Sequence, residues 1–153
     1  MSNVNEWNEE YAKYHKNKTN KIIHWICIPL IMFSLLGLLS LMTLFTYNSV
    51  AISALWFFII FAIGYYIKLS KSLALGMTIV SICFIYFIEL INQNFINQKF
   101  EIFLGIFIIS WIGQFIGHKI EGKKPAFIKD LQFLLIGPLW LLSYIYEKLD
   151  IKL

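Results

Sequence analysis

The chemistry available to this chain is concentrated in its three histidines, His15, His24 and His118. Two fall in residues 11–29, YAKYHKNKTNKIIHWICIP, and the third in residues 111–127, WIGQFIGHKIEGKKPAF. On a helix Asn20 and His24, four apart, share a face, as do Gln114 and His118, with Glu121 three positions further on. Three imidazoles with amides and a carboxylate suit a first-row metal, and neutral imidazole serves iron, zinc, copper and nickel alike. An open-sided iron(II) site of this kind leaves positions for O2 and a substrate. His15, His24 and His118 are then the metal-ligand candidates, and Glu121 and Asn20 the catalytic ones, with Glu121 either a further ligand or just outside the ligand set. Gln114 or Asn20 can orient a histidine from behind, and Tyr11 and Tyr14 flank His15 as hydrogen-bond donors. Spacing alone leaves two other readings open: histidines that only pack at an interface, and axial ligands to a haem. Ionisable groups at a membrane edge are costly and tend to mark sites, which favours function most for His24.

The elements that must position these residues are apolar. Of 153 residues 59% are hydrophobic and 14% charged, against roughly 25% charged in soluble domains, and mean hydropathy is +0.69. The apolar residues come in long runs, so the chain reads as an all-α integral membrane protein in one domain, 1–153, with the lipid bilayer as its partner. Residues 1–21 form an interfacial arm in which Trp7, Tyr11 and Tyr14 recur at helical spacing. A break at 17–19 leaves Thr19 or Asn20 to cap the first span. Four transmembrane helices are expected at 22–45, kinked near Pro29, and at 50–67, 73–91 and 102–117, the last of marginal length. A re-entrant membrane hairpin at 131–146 is expected to break at Gly137-Pro138.

Lysines cluster before 22, at 68–71 and at 119–129 and are sparse elsewhere, which puts the N-terminus and all three histidines on the cytoplasmic face. The Gly113/Gly117 pair, a small-xxx-small motif, is expected to draw the fourth span against the first and His118 towards His24.

Several function classes drop out. The +4 net charge is carried by lysine without a single arginine, which reflects compositional bias and argues against nucleic acid as a partner. Cys27 and Cys83 lie in apolar runs with no zinc spacing, and the polar opening residues do not form a signal peptide. There is no phosphate loop, GxSxG or HExxH, and three histidines cannot build an eight-histidine di-iron centre. Glu89 reads as a snorkelling residue, and Trp25, Trp56, Trp111 and Trp140 as anchors. Nothing specifies an oligomer.

Together the two stretches resemble the motifs of a family of small multi-span membrane proteins, the 2-hydroxy-palmitic acid dioxygenase-like family. YHKNKTNKIIHWICIPLI matches Y-H-x4-N-x3-H-x4-P, and GQFIGHKIEGKKPAFIKDL matches G-H-x2-E-x3-P-A. The motif positions carry over as His15, Asn20, His24 and Pro29, then His118, Glu121, Pro125 and Ala126. The resemblance implies an Fe(2+)-dependent dioxygenase of fatty-acid α-oxidation, taking a 2-hydroxy fatty acid and O2 to the acid one carbon shorter. It also implies an acyl chain lying between helices. The arginine-free composition points to a bacterial inner membrane, with the endoplasmic reticulum as the alternative.

Overall fold

The computed structural model describes residues 17–120, 122, 138, 141–146 and 148. The first helix, α1, spans Lys18–Ser40 and starts earlier than the apolar run because Asn17 caps it. The Asn17 side-chain carbonyl accepts from the backbone N–H of Thr19 at 2.8 Å and of Asn20 at 3.4 Å. The expected caps, Thr19 and Asn20, are therefore inside the helix, and capping by Asn17 meets two of the four N–H groups that a helix start leaves unpaired. Pro29 sits within α1 without ending it.

The expected first and second spans, 22–45 and 50–67, are corrected at the ends that face each other. The helix stops at Ser40, and two antiparallel strands, β1 at Thr43–Tyr47 and β2 at Val50–Ser53, follow. Asn48 and Ser49 adopt positive φ of 47° and 66°, the two left-handed residues of a type I′ turn that matches strand twist. Thr, Phe, Tyr, Val and Ile supply β-favouring side chains on either side. The Ala54 N–H donates to the Met42 carbonyl at 2.9 Å and closes the hairpin's base. Among the described residues this hairpin is the one departure from an all-helical chain.

Helix α2, Ala54–Leu69, is apolar but has 16 residues, about 24 Å at 1.5 Å per residue, short of a hydrocarbon core of about 30 Å. After a one-residue joint at Ser70, whose hydroxyl accepts from Leu73 N–H at 3.4 Å, α3 runs Lys71–Asn94 and α4 Lys99–Ile120. Thus α1, α3 and α4 are each long and apolar enough to cross a membrane. The last is not marginal, because helix continues through Lys99 at one end and His118-Lys119 at the other. Outward side chains such as Ile60, Ile79 and Ile109 are more than 60% exposed, a surface that only lipid would cover. The chain is a multi-pass membrane protein.

The helices alternate in direction, and α1 and α4 form the most extensive pairing. Gly37 lies against the Phe103 ring at one end of their seam, Gly113 against Cys27, and Gly117 against Asn20 and His24 at the other. One buried cluster (Leu36, Leu55, Ile59, Ile88, Phe103) joins all four helices near the hairpin. A second (Ala62, Tyr66, Leu73, Ala74, Met77) holds α2 to α3 at the opposite end, with Leu142 and Tyr146 packed on it. Of the expected hairpin at 131–146, Pro138 and residues 141–146 are described, and these are helical. Its first half lies outside the described residues, as do the loop at 123–130 and residues 1–16 of the interfacial arm expected at 1–21, whose last residues, Asn17 to Lys21, instead cap and begin α1.

Candidate functional site

Two of the three histidines meet. His24, two turns into α1, is 2% exposed, and its ring lies edge-to-face on His118 with centroids 5.2 Å apart and planes at 88°. The approach depends on Gly117. A Cβ there would collide with the Asn20 amide oxygen and sit 3.2 and 3.3 Å from His24 Cε1 and Nδ1. Gly113, one turn earlier, admits the Cys27 sulfur in the same way, where an added Cβ would stand 2.6 Å from it. The two glycines thus do what small residues do between membrane helices: they let backbones close in.

The orientation of His24 follows from its own helix. Its Nδ1 lies 3.0 Å from the Asn20 carbonyl oxygen, so the tautomer with a proton on Nδ1 donates there. That leaves the Nε2 lone pair as the ring's acceptor, the arrangement in which a backbone carbonyl fixes a ligating imidazole. Asn20 itself is fully buried, and Gln114 is 6% exposed. Both amides therefore line the protein interior at the histidine level. His118 and Lys119 occupy the last turn of α4, where unpaired carbonyls favour a cation. The capped N-terminus of α1 lies at the same end and offsets that field in part.

The ring separation is compatible with a shared first-row ion. With nitrogen–metal distances of about 2.1 Å, two imidazoles on one ion have ring centres roughly 4.5–5.5 Å apart, and 5.2 Å lies inside that window. The same spacing is ordinary for an edge-to-face ring pair, so the geometry serves either role. Among the described residues no three His, Cys, Asp or Glu side chains converge on one point. His15, Glu121, Tyr11 and Tyr14 lie outside the described residues, so the structure brings together His24, His118 and Asn20 from the expected set, with Gln114 one turn from His118.

Three further features were not read from the sequence. Ser110 is 2% exposed and precedes Gln114 and His118 at four-residue intervals, which makes a polar stripe along α4, buried at Ser110 and Gln114 and half-buried at His118. That periodicity was the available signal. Ser34, fully buried on α1, turns its hydroxyl back to the carbonyls of Leu30 and Ile31 at 2.7 and 3.1 Å, the usual resolution for serine within a helix. The third feature is the seat of residues 141–146. Tyr146 donates from its hydroxyl to the Ser72 carbonyl at 3.1 Å, Gly76 makes room for Tyr146 and Leu142, and the Tyr144 ring meets Trp25 at 5.3 Å.

Comparison with known proteins gives one consistent result. The model of a family described as 2-hydroxy-palmitic acid dioxygenase Mpo1-like matches residues 1–149. The 2-hydroxy-palmitic acid dioxygenase MPO1 of Saccharomyces cerevisiae is 32% identical over 142 residues, covering 91% of this chain and 77% of that protein. No solved structure matches.

Proposed function

The chain belongs to the Mpo1-like 2-hydroxy-palmitic acid dioxygenase family, and from that premise we propose that it oxidises 2-hydroxy fatty acids with O2. Each turnover would consume one O2 and shorten the acid by one carbon. The balance closes with the original carboxyl carbon leaving as CO2 and one water formed. Iron(II) is the proposed metal, held by His15, His24 and His118. Two or three such ligands with open positions are the pattern of non-haem oxygenases, and a bound ferrous ion supplies the electron chemistry that ground-state O2 requires. Glu121 is proposed as a further ligand or proton carrier, with Asn20, Gln114, Tyr11 and Tyr14 in support.

The observation that carries this reading is the His24–His118 contact across Gly117. It joins the two motif stretches at one end of the bundle. Asn20 holds the proton of His24 on Nδ1 through its carbonyl and keeps Nε2 available. Burial of Asn20, His24 and Gln114 limits water there, which protects reactive species from side reactions. Lys18, Lys21, Lys68, Lys71 and Lys119 flank the same end of the helices, in keeping with a cytoplasmic site that attracts a fatty-acid carboxylate. We take 1–153 as one membrane domain. In it α2 makes a fourth crossing with the β-hairpin at the interface beyond its outer end, residues 131–146 re-enter, and a bacterial inner membrane is the setting.

The test is O2 consumption by detergent-purified protein with 2-hydroxypalmitate, with and without added iron(II). Uptake that requires iron, yields the acid one carbon shorter and vanishes in both His24→Ala and His118→Ala is the expected result. Folded, iron-loaded protein that consumes no O2 with any 2-hydroxy fatty acid would sink the proposal.

A further inference from the structure

Below the histidine level, α1 and α3 diverge and leave an apolar cavity of about 190 Å³. Trp25, Met32 and Leu36 line it from α1, and Met77, Ser81 and Phe84 from α3. On its outer side Leu141 and Ile145 of the C-terminal segment line it and narrow its opening to lipid. That segment is fixed in place by Tyr146 on Ser72 and Tyr144 on Trp25. Pro29 and Phe84 also line a second, wider depression of about 600 Å³, which follows α3 past Phe87 to Ile91 and is open on the side of Leu30, Phe87 and Leu90. From Met77 to Ile91 the path covers about 21 Å at 1.5 Å per residue. A bilayer core of about 30 Å is two acyl chains deep, so the path takes one chain with length to spare.

Direction decides the occupant. The cavity begins at Trp25, the residue after His24, and runs from there towards the hairpin end of the bundle. A molecule with a polar head at the histidines and a single unbranched tail would lie along it. A ring system or branched chain would meet the close pairing of Trp25 with Tyr144 at the mouth.

Resting on the dioxygenase reading, we propose that this α1–α3 groove is the acyl-chain site, and that Ser81, in its first third, sets the substrate length the enzyme accepts. Ser81 is half-buried and is the one hydroxyl among apolar neighbours in the first cavity, so enlarging it fills the groove without touching the histidines.

The experiment uses the full chain in detergent with a 2-hydroxy fatty acid carrying a diazirine near its methyl end. Labelling is mapped by mass spectrometry. Labels on peptides containing residues 32–36 and 80–91, competed by unlabelled 2-hydroxypalmitate, are expected. In parallel, Ser81→Phe should lower turnover of long relative to short 2-hydroxy acids by roughly tenfold or more, the scale of one excluded methylene group. Labels spread over the outward residues Ile60, Ile79 and Ile109, or an unchanged chain-length profile in active Ser81→Phe, would overturn the groove and leave the reaction standing. Competed labelling in the groove by wild-type protein that consumes no O2 would do the opposite: the groove would stand as a fatty-acid site and the dioxygenase reading would fall. Labelling needs no variant, so a misfolded Ser81→Phe does not block the test.

Discussion

Replacing Gly117 by alanine separates the geometry of the site from the stability of the bundle. In a helix interior alanine is worth about 0.8–1.0 kcal/mol more than glycine. Against that gain, the new Cβ would strike the Asn20 amide oxygen and stand 3.2–3.3 Å from the His24 ring. Asn20 is 0% exposed and His24 2%, so neither has space to swing away. Overpacking of this kind costs about 1–3 kcal/mol, which leaves a net loss between about 0 and 2 kcal/mol. The site suffers more than the fold, because the relief must come from moving α4 away from α1 or turning the His24 ring. A misplacement of about 1 Å at a catalytic centre costs on the order of a hundredfold in rate. Gly105→Ala in the same helix is the control: nothing lies within 4 Å of its added Cβ, so it should gain stability and keep full turnover. The assay pairs thermal unfolding in detergent with O2 uptake on 2-hydroxypalmitate. Gly117→Ala should lose roughly 10–100-fold in turnover with a small change in unfolding temperature. If it instead matched Gly105→Ala in both, α4 would not be seated on His24 and the argument would be wrong.

Two other substitutions test the start of α1 and the β-hairpin beyond its end. Asn17→Ala removes the side chain that receives Thr19 and Asn20 N–H and should cost about 1 kcal/mol, read by denaturation; no loss would mean the helix starts elsewhere. Ser49→Gly relieves a non-glycine residue held at φ 66° and should stabilise the protein by roughly 0.5–1 kcal/mol, whereas destabilisation would argue against a type I′ turn.

The parts legible in the sequence were those governed by long-range hydropathy and by residue spacing. Apolar runs gave the helices, and the Gly113/Gly117 spacing anticipated which helix would press on α1. What was not legible depended on short segments whose preference only three-dimensional context reveals. The stretch 43–53 carries Leu44, Phe45, Val50 and Ile52 up against the spans on either side, and a hydropathy window cannot distinguish strand from helix there. The Asn48-Ser49 pair was the local clue, a weaker one than Asn-Gly. Asn17 is hard to recognise as a cap because the polar residues after it, Lys18 to Lys21, resemble a loop; they are the first turn of α1. The docking of Tyr146 on Ser72 joins positions 74 residues apart, a pairing that no local pattern encodes.

The closeness of α1 to α4 also has a consequence in time. His24 and His118 are 94 positions apart, so at about 5–20 residues per second the ribosome needs roughly 5–20 s between them. Through that interval the nascent first helix carries Asn20 and His24 into the bilayer edge with no α4 to shield them. The centre is therefore assembled late, by the arrival of the fourth helix. A chain interrupted anywhere before Gly113 would insert its early helices and yet lack the His24–His118 contact.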